Sequence, residues 1–450
     1  MILFLYNLVL LLVLALGAPW WIFRIATTRK YREGLLERLG RVRPLKAHDE
    51  RKLIWIHAVS LGEVIAVSPL FHALEAALPD HFIALSTTTQ TGQALARSRF
   101  GAERVFYCPL DLPWAVHAHL ETLRPVLLIL VETEFWPNLL TAFSRLAIPV
   151  AVVNARISDR SWPRYRALRC LWAPLLRSLS CVLAQTPTDA QRLCAIGCQA
   201  DRVHVAGNLK FDVRAVAESP ATRLLRAAAQ GSRIIVAGST VEGEESVLIA
   251  LWPRLIAVHP YLVLVLAPRH PERFSTIASL LSRSGLRWQR RSDWPPFIHV
   301  AQDASIADSS SSADSPIPRL NPGEIVLLDS IGELSSVYSL ATIAFVGGSL
   351  VSAGGHNPLE PAQFSVPIVM GPSFENFRSI VELLIAHNGI RIINLDKSGE
   401  PDQLYHAFDQ LLSGNDPAMG ARAREIFDHQ AGATQRTVAA LQILLGEDRP

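Results

Sequence analysis

Short apolar runs rich in β-branched residues, each separated from the next by helix-forming sequence, constrain this chain more than any other feature. The first half holds seven: "LIWIHAV" (53–59), "HFIALSTTT" (81–89), "RVFYCP" (104–109), "VLLILVET" (126–133), "IPVAVVNAR" (148–156), "CVLAQT" (181–186) and "VHVAGNL" (203–209). The second holds six: "RIIVAGST" (233–240), "YLVLVLAPRH" (261–270), "EIVLLDS" (324–330), "ATIAFVGGS" (341–349), "VPIVMG" (366–371) and "IRIINL" (390–395). Continuous apolar strands alternating with helices mean parallel sheets covered on both faces. Two such sets predict two doubly wound, Rossmann-like α/β domains, which also suits a length of 450 residues.

The join falls near 211–232, giving an expected first domain over 51–215 and a second over 216–450 that includes C-terminal helices. One low-complexity stretch, 301–323, is rich in Ser, Asp and Pro and reads as a loop. A net charge of +3 is too small to argue for nucleic acid. The five cysteines form no C-x-x-C and read as reduced thiols.

Residues 2–23, "ILFLYNLVLLLVLALGAPWWIF", carry no charge and reach ~33 Å as a helix, enough for a ~30 Å hydrocarbon core. Trp20, Trp21 and Phe23 close the stretch, and Arg24, Arg29, Lys30, Arg32, Arg38, Arg41, Arg43 and Lys46 follow it. Residues 1–24 therefore read as a single-pass membrane anchor and 25–50 as a basic juxtamembrane segment, with the bulk of the chain cytoplasmic. A cleaved signal peptide would want a basic start and a shorter apolar core. A helix lying in the membrane interface satisfies the same composition.

Ligands of open α/β sheets bind at the carboxyl ends of strands. No G-x-G-x-x-G opens a helix, no G-x-x-x-x-G-K-[ST] occurs, and D-x-D and H-E-x-x-H are absent. No cofactor and no metal are expected. Ser60-Leu61-Gly62-Glu63, after the first strand, fits a capping box, yet Glu63 also stands where a catalytic base belongs. "VETEFWPN" brings Glu132 and Glu134 to another strand end, as paired carboxylates or as a helix cap. Lys210 follows the last strand of the first half, solvated or facing a leaving phosphate.

In the second half, "FVGGSLVSAGGHNPLEPA" (345–362) leads through glycines into a helix capped by Asn357 with Pro358 at its first position. That pattern reads as an anion site with Glu360 on a ribose, or as helix-start chemistry alone. Arg269 ends a strand and suits a phosphate or simple exposure, and Gly332 and Glu333 end another. Phosphate and ribose groups in one half and carboxylates in the other suggest a membrane-attached nucleotide-sugar glycosyltransferase.

Residues 57–64 together with "ETEFWPN", "NARIS", "GNLKFD", "APRHPERF" and "FVGGSLVSAGGHNPLE" closely resemble the Kdo (3-deoxy-D-manno-octulosonate) transferases of Gram-negative bacteria, over nearly the whole chain. The resemblance implies a GT-B fold, CMP-Kdo as donor and a lipid A precursor as acceptor, at the cytoplasmic face of the inner membrane. It implies an inverting, metal-independent reaction. It puts the general base on Glu63, transition-state stabilisation on Glu134 and Lys210, and CMP contacts on Pro268, Arg269, Ile331, Gly332, Glu333, Asn357, Pro358, Leu359 and Glu360. The family usually has Met where this chain has Ile331. The alternatives are another GT-B enzyme using a uridine nucleotide sugar, or a membrane-tethered nucleotide-binding protein without turnover.

Overall fold

The computed structural model describes residues 2–28, 32–45, 51–215, 218–294, 319–393 and 402–446. Most of the Ser-rich stretch 301–323, and residues 29–31 and 46–50 of the basic segment, lie outside the described residues. The chain divides into two compact units, Met1–Val213 with Gln430–Pro450, and Arg214–His429.

In the first unit, seven parallel strands run in the order β3-β2-β1-β4-β5-β6-β7. They are β1 Lys52–His57, β2 His81–Thr87, β3 Val105–Tyr107, β4 Pro125–Val131, β5 Val150–Ala155, β6 Cys181–Ala184 and β7 Val203–Val205. The register sets His57 against Ser86 on one side and Leu130 on the other. Alternation along the strands feeds two cores. Leu53, Trp55, Phe82, Leu128 and Leu130 enter one, while Ile54, Ile56, Ile83, Leu85 and Ile129 enter the other. A strand wet on neither face is apolar at every position, which is why these runs stand out in the sequence.

The second unit repeats the plan in the order β10-β11-β9-β8-β12-β13-β14. Its strands are β8 Arg233–Thr240, β9 Leu262–Pro268, β10 Trp288–Arg290, β11 Ile325–Leu327, β12 Ala341–Val346, β13 Ile368–Met370 and β14 Arg391–Ile392. In each sheet the strand order reverses beside the first strand of the unit, between β1 and β4 and between β8 and β12. Such switch points open the crevices where doubly wound folds bind ligands.

Two sequence expectations are corrected. β10 is an additional, half-buried edge strand in "RWQRR", where a sheet edge does not demand apolar residues. The last helix, Ala433–Leu445, belongs to the first unit and not to the second, burying Val438 and Leu441 in the core below the helix Leu61–Ala77. The carboxylate of Asp212 accepts the Gly432 and Thr434 N–H groups at 2.6 and 2.5 Å, capping that helix. An amphipathic pattern shows that a helix needs a core, not whose core it joins.

The N-terminal helix Ile2–Thr27 is 26 residues long and largely apolar, with Pro19 inside it. By length and composition it can cross a membrane.

Candidate active site

β1 ends at His57, and Ser60, in extended backbone, caps the helix Leu61–Ala77. Ser60 Oγ accepts the Glu63 N–H at 3.4 Å and donates to Glu63 Oε1 at 2.7 Å. Glu63 Oε2 accepts the Val59 N–H at 2.8 Å. This is a capping box whose return bond reaches one residue further back than usual. The cap does not leave the carboxylate inert. Burial, and then Glu132, push the Glu63 carboxyl up to about 7; the Ser60 and Val59 bonds pull it down, and Glu134 adds a smaller push.

Glu132 and Glu134 follow β4, the neighbour of β1 across the switch point. Glu132 adopts a left-handed backbone (φ 62°), and its N–H extends the ladder to Val153 O at 2.9 Å. Glu134 Oε2 accepts from Trp136 Nε1 at 3.1 Å, while burial and Glu132 raise its carboxyl. Three half-buried carboxyl groups thus share one field beyond the two central strands. The turn Leu209–Asp212 packs against the Glu63 helix and carries half-buried Lys210, whose N–H donates to Asn208 Oδ1 at 3.0 Å. Below them His57 is buried, its Nδ1 2.8 Å from Ser86 Oγ; burial lowers it to about 4, so it is neutral.

In the second unit the Gly-rich loop departs from the expected anion cradle. The N–H groups of Gly348, Ser349 and Leu350 donate to the carboxylate of Glu244, at 2.7, 2.8 and 2.9 Å. The Val241 N–H adds a fourth bond at 3.0 Å. The concavity that could receive a phosphate is filled by a buried side chain of the protein itself. Gly347 is required by this folding back, since a Cβ there would stand 2.5 Å from Ser239 O. The helix beyond the loop, Leu359–Ala362, is one turn long, so its dipole is a minor term.

The other residues expected on the donor side gather around Arg269 and Glu360, whose charges act on each other. Arg269, exposed after β9, donates its N–H to Thr240 O at 2.9 Å. Burial pushes the half-buried Glu360 carboxyl up to about 7, against the Asn357 hydrogen bond and the Arg269 charge. Burial, then Arg269 and His270, lower His356 to about 4, so this ring joins the same group. Asn357 Oδ1 accepts the Leu359 N–H at 3.1 Å, the expected cap, and Pro358 and Leu359 are buried behind it. Pro268 is buried at the end of β9. Ile331, after β11, is 79% exposed, beside Gly332 at φ 85°. Glu333 is turned inward: its carboxylate accepts from the Ala221 N–H at 2.9 Å and from Ser330 Oγ.

Residues 33–213 match the family model described as 3-deoxy-D-manno-octulosonic-acid transferase (kdotransferase). A 3-deoxy-D-manno-octulosonic acid transferase of Haemophilus influenzae is 33% identical over 419 residues, covering 92% of each chain. This chain belongs to the Kdo transferase family. A Bordetella pertussis relative of the same name is 34% identical over 405 residues, 87% of each chain. In fold, this transferase is similar to the UDP-GlcNAc 2-epimerase of Neisseria meningitidis in complex with UDP-GlcNAc. The TM-score is 0.54 at 14% identity, over 87% of this chain and 100% of that one. The likeness bears on architecture alone and agrees with a GT-B arrangement of two seven-stranded sheets.

Two residues that shape these sites in the Kdo transferase escaped the sequence reading. Glu244 sits in a helix first turn, where a carboxylate is expected anyway, so nothing in "VEGEES" separates it from a cap. Asn154, in "NARIS", takes a left-handed backbone (φ 55°) at the last but one position of β5, and its Oδ1 accepts the Leu209 N–H at 3.0 Å. It thereby fixes the turn that carries Lys210. Asn is among the few residues at ease in that conformation, which was the available signal.

Proposed function

We propose that the chain transfers Kdo from CMP-Kdo to a lipid A precursor in lipopolysaccharide synthesis, inverting the anomeric centre without a metal. The observation that carries this reading is the state of Glu63, a carboxyl held by the Val59 N–H and the Ser60 hydroxyl and pushed up to about 7. A base tuned near the working pH is half-ionised and accepts a proton with little driving force lost. In the proposed step the acceptor hydroxyl oxygen bonds to the anomeric carbon of Kdo while its proton passes to Glu63. The bond from that carbon to the phosphate oxygen breaks, and CMP leaves carrying the negative charge.

Lys210 offsets the charge growing on the departing phosphate, and Glu134 favours positive character at the anomeric carbon. The unit 214–429 takes the donor. Arg269 pairs with its phosphate, Glu360 accepts from ribose hydroxyls, and Pro268, Asn357, Pro358 and Leu359 shape the wall. Ile331, Gly332 and Glu333 contribute backbone, since the Glu333 carboxylate already holds Ala221. The enzyme works at the cytoplasmic face of the inner membrane, where basic residues after the apolar helix favour anionic lipid.

The test is the lipid product mass from purified full-length protein with CMP-Kdo and a tetraacyl lipid A precursor. An increase by one or more Kdo residues is expected. No increase overturns the reading, and turnover of a UDP-sugar instead would make it another GT-B enzyme.

A further inference from the structure

The apolar helix Ile2–Thr27 carries two polar side chains in its second turn, and both are engaged by the first unit. Tyr6 OH donates to Asp111 Oδ2 at 3.0 Å. Asn7 and Asn138 exchange two side-chain bonds, Asn7 Nδ2 to Asn138 Oδ1 at 3.0 Å and Asn138 Nδ2 to Asn7 Oδ1 at 2.8 Å. Asp111 also caps the helix Pro137–Arg145, accepting the Asn138 and Leu139 N–H groups at 3.0 and 2.9 Å. Asp111 and Asn138 are buried, and the loop with Glu134 and Trp136 runs directly into this cap.

Beyond the helix the chain comes back to the same place. Tyr107 OH donates to Glu33 Oε1 at 3.1 Å, and the Leu110 N–H donates to Arg38 O at 2.9 Å. Both ends of the apolar stretch are therefore fastened within residues 107–138 of one unit. From Asn7 to Thr27 a helix rises ~30 Å, the full depth of a hydrocarbon core. A helix crossing the bilayer from this unit would carry Asn7 that far from Asn138. Crossing in the opposite sense would drag the arginine-bearing return segment through lipid. Either crossing breaks the bonds.

Exposure agrees. Leu3, Tyr6, Asn7, Leu10, Leu14, Gly17, Ala18 and Ile25 form a half-covered stripe at helical spacing, while Phe4 and Leu16 between them are 73% and 82% exposed. Leu36, Leu39, Trp114 and Trp136 of the same unit are also exposed.

We infer that Tyr6, Asn7, Asp111 and Asn138 form a polar latch that holds the helix on the first unit. The helix lies in the membrane interface instead of crossing it, and lipid covers its exposed apolar faces beside the Glu134 loop. This replaces the single-pass anchor expected from composition, and it does not depend on which sugar the enzyme transfers.

Sidedness tests it in sealed membrane vesicles of both orientations. Cys170 is exposed and lies in the same unit, so it is a built-in reference for a membrane-impermeant maleimide. An Ile2→Cys variant should label from the face that labels Cys170. Labelling from the opposite face overturns the latch. If lipid shields residue 2 from both sides, N7C and N138C in a C170S background decide, with Tyr6–Asp111 still in place. A short bismaleimide should join them within one membrane-bound chain, and no cross-link there overturns the inference.

Discussion

Each unit places a glutamate in the first turn of the helix after its first strand, Glu63 after β1 and Glu244 after β8, and the two have opposite fates. Glu244 is buried and surrounded by four backbone N–H groups from its own turn and the Gly-rich loop. Glu63 is half-buried and bonded to its own cap, and the charges of Glu132 and Glu134 push its carboxyl up. Donors converging on a carboxylate make it a strut. Burial raises both carboxyls; at Glu244 four N–H bonds oppose it, while at Glu63 the charges of Glu132 and Glu134 add to it and bring the group near the condition for proton transfer. Position in the fold is shared; the neighbours assign the role.

The largest break in the comparison should come from Glu63→Gln. Gln keeps much of the capping geometry, so folding should survive while kcat for Kdo transfer falls ~10²–10⁴-fold, the range of a lost general base. Near-full activity in a folded variant would reduce Glu63 to a cap. Glu244→Ala should do the reverse. Four backbone N–H groups lose their acceptor, and each buried donor left unsatisfied costs about 1–3 kcal/mol, read as a lower thermal midpoint. Glu63→Ala, by contrast, should lose about 1 kcal/mol, the ordinary value of a cap. Equal losses at the two positions would erase the distinction.

A smaller effect separates the sites by substrate. Arg269→Ala should raise the KM for the nucleotide-sugar donor about tenfold, roughly 1.4 kcal/mol, on the order of one lost charge-assisted bond, with acceptor KM unchanged. A change confined to the acceptor would put Arg269 in the wrong unit's chemistry.

The sequence made the sheets legible because strands buried on both faces cannot hide their composition. It failed where burial stops or where partners are distant. β10 is an edge strand with no fully buried side chain, and the 433–445 helix shows an apolar face without an address. At the sites, S-x-x-E made the Glu63 cap readable and strand-end position made its second role arguable. The Gly-rich loop misled because its glycines announce close backbone approach without saying to what. Here the approach is to Thr240, 2.6 Å from the place a Gly347 Cβ would occupy, and to the Glu244 carboxylate. Tyr6 and Asn7 are visible as polar residues in an apolar helix, but their partners lie 105 and 131 positions away.

The finest test concerns how the Glu63 carboxyl is held near 7. Deprotonation activates a base, so kcat should rise with pH through an inflection near that value and level off above it. Stability has the opposite slope. A carboxyl raised in the folded state binds a proton that the unfolded chain has released, so stability falls as pH climbs from about 4.5 toward 7. Glu63→Gln should make that slope shallower in denaturant unfolding, leaving the part that Glu360, also raised to about 7, supplies. Of the two neighbours, Glu132 pushes harder than Glu134. Glu132→Gln should therefore lower the activity inflection more than Glu134→Gln does, even though Glu134 is the residue with a proposed role in the transition state. If Glu134→Gln moved the inflection further, the charge that tunes the base would sit on the residue that also serves the chemistry, and Glu132 would be left with only its left-handed turn to explain it.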